Sequence, residues 1–322
     1  MKKFIFSILI LNTIINANLK FPKSINYIIE DIINAKYNDA NEKIEKNIKN
    51  KAIYYLLKAS VIQTKMMDYE DYSDEEIFIS YLDSCEKYTQ KYYKTNSPEY
   101  NYLMGTIYGY IGSHYGKKKS FLKAFKYGRK GIYFLKECIK IDSSFYDAYL
   151  GIGIYNYWFS KKIGILKIFP GLEDNSREGI KEIKIAAQSG ILTKYPAMNM
   201  LAWVYINEDS LKKAKILIDS LINQFPESRT FYWTRIEYAK KIKNSLLLEK
   251  TLRKLLKLIY AAPNNHINES ICLYQLGDLY AKELNIKKLQ NLFYNKILKL
   301  PLKLQKKDKN KYYIKILKNQ IN

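Results

Sequence analysis

Large apolar residues recur every three or four positions in successive segments of the chain, which is the spacing of a helix with one buried face. Short polar stretches separate these segments. The first four helical segments cover residues 23–37, 39–48, 53–67 and 73–93. Residues 68–74, between the last two, are predicted to form an acidic loop. The pattern therefore predicts consecutive helices joined by short connections.

Several helix starts carry their own signals. Ser97, Pro98 and Glu99 are an N-cap, a first-turn proline and a first-turn acid. Ser73 with Glu76, and Asn175 with Glu178, have the spacing of a capping box, in which two side chains satisfy exposed backbone N–H groups. Each signal predicts a helix that begins at that point.

Two 34-residue stretches, 195–228 and 270–303, repeat one another. Large apolar, small, aromatic and proline positions coincide when they are aligned. The first copy holds Met198, Leu201, Ala202, Tyr205, Ala214, Ile218, Leu221 and Pro226, and the second holds Leu273, Leu276, Gly277, Tyr280, Leu289, Phe293, Lys296 and Pro301. A looser copy between them has Arg235 where a large apolar residue is expected. A period of this length indicates stacked helix pairs.

This ladder of positions resembles the tetratricopeptide repeat, a helix-turn-helix unit that mediates binding. The resemblance implies an all-α fold, a right-handed superhelical solenoid of antiparallel helix pairs. It covers residues 97–303 well and residues 24–93 weakly, and residues 18–96 are expected to form divergent N-terminal helical repeats. Residues 304–322 would then form a lysine-rich capping helix at the carboxyl end.

The period is stretched at two places, around residues 115–119 and at an apolar insertion, residues 158–174. Insertions in such repeats usually map to loops on one face, so loops are expected here. The insertion must bury its side chains in the groove, against a partner or at a membrane surface. Its candidate contact residues are Trp158, Phe159, Ile165 and Phe169.

The resemblance also implies which side chains bind a partner. In this family the first helix of each pair lines the concave face. The matching positions here hold Asn199, Trp203, Asn207, Trp233, Glu237, Lys241, Tyr274, Asp278 and Lys282. Aromatic and charged groups together are typical of binding hot spots, although Trp203 and Trp233 could instead pack between repeats. The lysine and asparagine clamp of some members is not reproduced, which disfavours a receptor for chaperone tails.

The amino terminus has the order of a secretory signal peptide. Lys2 and Lys3 precede an apolar run over residues 4–15, and Asn16 and Ala17 follow it. The run is shorter than the ~20 residues that cross a bilayer, so cleavage after Ala17 is expected and a permanent anchor is the alternative. The signal peptide, residues 1–17, predicts export to the periplasm or cell envelope of a bacterium.

The net charge of +23 raises the question of a polyanionic partner. Only five of the 54 basic residues are arginine, whose forked side chain nucleic-acid readers favour, so no nucleic-acid partner is expected. Residues 287–318 contain eleven lysines and a single acid, Asp308. This run is either a solvated face or a weak contact for an anionic membrane surface.

Residues able to carry catalysis are few. Cys85, Cys138 and Cys272 have no metal-ligand spacing and are expected to be buried thiols, with one long-range disulfide as the alternative. His114 and His266 stand alone beside polar stretches and are expected at the surface. No phosphate-loop, zinc-peptidase, dinucleotide or serine-nucleophile motif occurs, so neither a cofactor nor a metal site is expected.

These observations favour a non-catalytic scaffold that binds a protein or peptide partner in the cell envelope through its concave groove. Two alternatives stay open. The chain could be an enzyme, or an accessory subunit, that acts on an envelope polymer, with Glu237 and Asp278 as an acid-base pair. It could also be a peripheral membrane protein that uses its lysine-rich end.

Overall fold

The computed structural model describes residues 21–22, 24–166, 174–283, 285–299 and 312–317, and for residues 162–166 it describes the backbone alone. Within these ranges the fold is all-α and contains no strand. The predicted signal peptide and Phe169 lie outside the described residues. No helix in the ranges just given is both long and apolar enough to cross a membrane.

In the described residues fourteen helices follow one another, and residues 312–317 add a short helical segment. The odd-numbered helices pack most closely on the helix that follows them, except that α9 packs equally on α8 and α10, so the chain is a solenoid of consecutive helix pairs, as predicted. The helices are α1 (Ile25–Ile33), α2 (Tyr37–Asn47), α3 (Lys51–Tyr69), α4 (Glu75–Tyr92), α5 (Pro98–Lys117), α6 (Phe121–Ile141), α7 (Ala148–Leu166), α8 (Ser176–Ser189), α9 (Lys194–Asn207), α10 (Leu211–Gln224), α11 (Arg229–Lys241), α12 (Ser245–Tyr260), α13 (His266–Lys282) and α14 (Lys287–Leu298).

The two regular 34-residue copies become the pairs α9–α10 and α13–α14, and most of their recurring positions are buried. Lys296 is exposed, because α14 presents that position to solvent, and Arg235 pairs with Asp219 at 2.7 Å instead of entering the core. The buried recurring positions are Leu201, Ala202, Ala214, Ile218, Leu221, Leu273, Leu276, Gly277, Tyr280 and Phe293.

The helix start at Ser97 is confirmed, because its Oγ accepts the backbone N–H of Tyr100 at 3.2 Å. The two predicted capping boxes are wrong. Helix α4 begins after Asp74 with no side-chain cap, and the N-cap of α8, Asn175, makes no capping bond. Asp174 caps the start of α8 instead, because its Oδ1 accepts the backbone N–H of Ser176 at 2.9 Å.

Around residues 115–119 and in residues 158–166, the first half of the insertion, the chain is mainly helical and not the loop that the repeat pattern predicted, and residues 167–173 lie outside the described residues. The extra residues near 115–119 lengthen α5 to Lys117, so a three-residue turn joins it to α6. The first half of the insertion lengthens α7 to Leu166. The reason is local, since no proline interrupts either segment before Pro170 and both keep apolar residues at helical spacing.

Close approach through glycine joins α7 to α8. A Cβ added to Gly153 would lie 2.7 Å from the carbonyl oxygen of Gly179 and 2.8 Å from the backbone nitrogen of Ile183. The backbones therefore touch where any side chain would separate them. By contrast, a Cβ on Gly109 of α5 would meet no atom within 4 Å.

Contacts between helices that are not consecutive show which layer lies inside. Beyond neighbouring pairs, the main contacts join α3 to α5, α5 to α7 and α9 to α11, and all of these helices are odd-numbered. Helix α3 also contacts α13, near the other end of the chain. The odd-numbered helices thus form an inner layer that closes on itself, while the even-numbered helices pack outside it.

A buried ion pair holds this closure. Asp68 and Arg229 have side chains only 4% and 9% exposed, and Arg229 Nε lies 2.9 Å from Asp68 Oδ1 while its Nη2 reaches Oδ2. Tyr37 donates to Asp68 Oδ2 at 2.8 Å, and Asn268 donates to the Asp68 carbonyl. Burial opposes the guanidinium charge, yet the hydrogen bonds and charge of Asp68 outweigh it and raise the pKa of Arg229.

Asp68 therefore does not belong to an acidic loop, as its sequence neighbours suggested, but to the last turn of α3. Apolar and surface contacts accompany the ion pair. Ile33 packs against both the core of α1–α7 and the core of α9–α14, and Lys36 lies 3.2 Å from Glu227.

Adding a methyl group at Gly153 should lower stability, whereas the same change at Gly109 should not. Overpacking costs about 1–3 kcal/mol, and alanine gains about 1 kcal/mol over glycine in a helix. Thermal unfolding followed by circular dichroism should show a lower Tm for Gly153→Ala and an equal or higher Tm for Gly109→Ala. Equal shifts in the two variants would contradict the close approach of α7 and α8.

Removing the charge of Asp68 should destabilise the fold strongly. Asp68→Asn leaves the Arg229 guanidinium buried without a counter-charge, and breaking a buried pair in this way costs about 3–5 kcal/mol. Urea unfolding measures the loss. Glu178→Gln is the matched control, because Glu178 also pairs with a cation, Lys181, but at an exposed site, so its stability should stay unchanged.

Candidate functional site

A concavity of about 400 Å³ lies on the inner layer, between α7, α9 and α11. It contains five residues that the sequence singled out, four from the groove positions and Trp158 from the insertion. Its lining consists of Trp158, Trp203, Ile206, Asn207, Glu237, Lys240 and Lys241. Three consecutive inner helices thus supply one surface.

The two tryptophans form the apolar part of this concavity. Trp158 is held in place, because its Nε1 donates to Met200 Sδ at 3.4 Å and its ring meets Tyr157 edge-on with centroids 4.9 Å apart. Trp203 projects from α9 and is partly buried. Large, rigid aromatic rings at a concave surface are the usual anchors for a bound partner.

A hydrogen-bonded network lies behind Asn207, the residue that lines one rim. Tyr157 is fully buried and donates to Glu208 Oε1 at 2.7 Å, Lys161 pairs with the same oxygen at 2.7 Å, and Asn207 Nδ2 donates to the Tyr157 oxygen at 2.6 Å. Burial, followed by the bond to Glu208, raises the pKa of Tyr157, while the bonds from Lys161 and Tyr157 lower the pKa of Glu208. This network fixes the orientation of Asn207.

The opposite rim carries charges of both signs. Glu237 pairs with Lys240 one turn further along α11, at 2.7 Å. Lys241 reaches Asp209, also at 2.7 Å. The side chains of Glu237, Lys240 and Lys241 are each 39% exposed, so these ion pairs are of modest strength. The charges of a partner can therefore compete for them.

Sequence reasoning missed three members of this site, Tyr157, Lys161 and Glu208. Each lies within one helical turn of a residue that was predicted. Tyr157 precedes Trp158, and Glu208 follows Asn207. The available signal was this adjacency, but the repeat positions were transferred only to the helices α9, α11 and α13 and select single positions within them.

The other five predicted groove positions do not line the concavity. Trp233 packs against the core of α9–α14, and Asn199 is engaged by the Thr234 hydroxyl at 2.7 Å. Tyr274 lies against Tyr294 and Tyr313, with centroids 5.9 Å and 4.6 Å away.

Asp278 and Lys282 pair with each other on α13, 2.8 Å apart. The alternative of an acid-base pair needs Glu237 and Asp278 at one space, but only Glu237 lines the concavity. Each of the two carboxylates is bonded to a lysine of its own helix. The two residues are not brought together around this space.

The remaining insertion residues have separate positions. Phe159 stacks on Tyr155 at 4.9 Å and on Phe125 of α6 at 6.1 Å, away from the Trp158 contacts. Ile165 lies in the last turn of α7. One turn of helix thus directs neighbouring aromatic residues to two different surfaces.

The histidines are not both surface residues. His114 is 3% exposed, because the extended α5 carries it against Phe78 and the N-terminal end of α4, and its Nε2 lies 2.9 Å from Glu75 Oε1. Bonds from Lys118 and then His114 lower the pKa of Glu75. His266 is partly exposed, with Nδ1 3.2 Å from Glu269.

The three cysteines are buried free thiols, as expected, and burial raises the pKa of Cys85 to about 12 and raises the pKa of Cys138 and Cys272 as well. Among the described residues no group of three or more histidine, cysteine or acidic side chains could hold a metal ion.

Comparison with known proteins adds no relative to this description. No protein-family model matches the chain, and no curated protein matches its sequence. The geometry of the concavity therefore carries the functional interpretation.

Truncating the two predicted groove tryptophans should have different effects on stability. Trp233→Ala removes packing from the core of α9–α14 and should cost about 3 kcal/mol, whereas Trp203→Ala should cost less than about 1 kcal/mol. Urea unfolding of the two variants measures the difference. Comparable losses would mean that Trp203 is also a packing residue.

Proposed function

We propose that the protein is a non-catalytic binding scaffold of the tetratricopeptide type, which holds a short segment of a partner protein in the concavity between α7, α9 and α11. The observation that carries this proposal is the convergence of Trp158, Trp203, Asn207, Glu237 and Lys241 around one space. Two independent lines of sequence reasoning, the repeat positions and the insertion, lead to these residues.

The size and chemistry of the concavity favour an extended peptide over a folded domain. About 400 Å³ accommodates a few side chains and falls within the range of small binding pockets. The tryptophans suit an apolar or aromatic anchor, and the rim on α11 offers cations at Lys240 and Lys241 and an anion at Glu237. A segment with one apolar residue flanked by charges of both signs matches this surface best.

The separation of Glu237 and Asp278 supports binding over catalysis. An acid-base pair needs two carboxylates at one space, whereas only Glu237 lines the concavity.

The wider proposal has three further parts. The helix pairs wind as a right-handed superhelix, the first residues direct export, and the partner is met in the cell envelope. The 34-residue ladder supports the first part, and the order of lysines, apolar run and small residue from Lys2 to Ala17 supports the other two.

Site-specific photocrosslinking tests the proposed partner contact in the native cell. A photoreactive residue at Lys241, at the rim, should give a discrete crosslinked species, and one at Lys250 should not. Both side chains are exposed, but Lys250 lies on the outer helix α12. The species formed at Lys241 should disappear in a Trp158→Ala, Trp203→Ala background because the partner's anchor is lost.

The helicity of that background should match the parent, and its Tm should fall but stay well above the temperature of the experiment, because Trp158 packs against the core of α7–α9. Crosslinks that are equal at Lys241 and Lys250, or that survive the loss of both tryptophans, would contradict the proposed site.

A further inference from the structure

Large apolar side chains are exposed at one end of the α5–α6 pair. Leu122 is 87% exposed, Phe121 69% and Phe125 46%, all in the first turns of α6. Exposed apolar residues that occur singly are common, but three within five positions form a patch that requires an explanation.

This patch continues onto α7. Phe125 stacks on Phe159 with centroids 6.1 Å apart, and Phe159 stacks on Tyr155 at 4.9 Å. The three rings are nearly parallel, at 22° and 13°. The exposed ends of α6 and α7 are therefore one rigid unit, which we call the α6 tip and define by Phe121, Leu122, Phe125 and Phe159.

Positive charge surrounds the α6 tip. Between Glu99 and Glu137 the chain has eight lysine and arginine residues and no acid. Lys118 bonds to Glu75 at 2.6 Å, which uses one of these cations. At the start of α8 the acid Glu178 pairs with Lys181 at 2.8 Å. The exposed cations next to the patch are Lys117, Lys119, Lys123, Lys126 and Arg129.

Several of these cations are held beside aromatic faces. Arg129 lies 5.5 Å from the centroid of Phe125, and Lys123 lies 5.0 Å from that of Tyr115. Such contacts restrict long side chains that would otherwise move freely. The cations therefore stay around the apolar residues instead of turning away from them.

We propose that the α6 tip docks on the surface of an anionic lipid bilayer. Phe121 and Leu122 enter between the headgroups, and the surrounding lysines bind lipid phosphates. Charge complementarity selects this occupant, because apolar residues flanked by exposed cations, with the neighbouring acid Glu75 already paired to Lys118, match an anionic interface. The buried centre of a protein interface is instead depleted of lysine.

The docking surface lies next to the candidate site. Trp158 and Phe159 are consecutive residues of α7, and the first lines the concavity while the second belongs to the α6 tip. A bilayer bound at the tip would keep the partner-binding concavity close to the membrane. This surface is distinct from the lysine-rich residues 287–318.

An environment-sensitive fluorophore tests the insertion directly. The fluorophore nitrobenzoxadiazole (NBD) is attached to the new cysteine of the Leu122→Cys variant of the purified full chain. The matched control carries the same label in the Leu246→Cys variant, because Leu246 is 76% exposed on α12. The native cysteines are buried and should stay unlabelled. Vesicles that contain phosphatidylglycerol should shift the Leu122 label to shorter wavelength and leave the Leu246 label unchanged.

Vesicles of phosphatidylcholine alone should give no shift at either position. Phe121→Ser with Leu122→Ser should weaken sedimentation with anionic vesicles about tenfold or more, whereas Ile216→Ser with Leu246→Ser should not, because those residues are equally exposed but lie elsewhere. Lys117→Glu with Lys126→Glu should also weaken it, and Lys250→Glu with Lys254→Glu should not.

Equal shifts at Leu122 and Leu246 would overturn the proposal. So would binding that is lost only when lysines of residues 287–318 are replaced. A concentration-dependent dimer that Phe121→Ser with Leu122→Ser dissolves, without any vesicle-induced shift, would assign the patch to a second copy of the chain and overturn it too.

Discussion

The buried contact between Asp68 and Arg229 determines how the two ends of the solenoid meet. Its partners are 161 residues apart in the chain, and Asn268 bonds to the Asp68 carbonyl across 200 residues. Taking both charges out of water carries a large desolvation cost, which is offset here by bidentate geometry and by the hydrogen bond from Tyr37. A pair of this kind favours one register of the closure, because a shifted contact between the same helices would bury one charge without its partner.

The closure also constrains the inner layer. Helix α11 begins at Arg229, so the ion pair holds the first turn of α11 against α3. The same helix supplies Glu237, Lys240 and Lys241 to the concavity two to three turns later. In an open solenoid the angle between α9 and α11 could vary with each flexing motion of the stack. In the closed form the angle between α9 and α11 is fixed. The concavity between them is therefore preorganised for a partner.

Helix α7 connects the two proposed surfaces. Its extension through residues 158–166 brings Trp158 to the concavity and Phe159 to the α6 tip, and Lys161 bonds to Glu208. The break in the repeat period thus adds side chains to both surfaces at once. The regular pairs α9–α10 and α13–α14 provide the frame on which these additions are placed.

Helical spacing was sufficient to predict the helices, their pairing and most of the buried positions, because these depend on residues close in sequence. The closure could not be predicted in the same way. Asp68 stands among acidic neighbours that suggest a loop, and its partner Arg229 is remote, so no local pattern marks either residue. No local pattern distinguishes Trp203 from Trp233. Trp203 lines the concavity and Trp233 packs against the core, because neighbouring helices cover different faces of α9 and α11.

Zero-length crosslinking of the native protein tests the closure most directly. A carbodiimide joins a lysine to a carboxylate only when the two groups are in contact, and Lys36 Nζ lies 3.2 Å from Glu227 Oε2 across the closure. Mass spectrometry should find the Lys36–Glu227 linkage together with the internal control Lys118–Glu75, whose groups are 2.6 Å apart. Asp68→Asn should remove the first linkage and keep the second. Recovery of the Lys118–Glu75 linkage alone in the unmodified sequence would show that the solenoid is open.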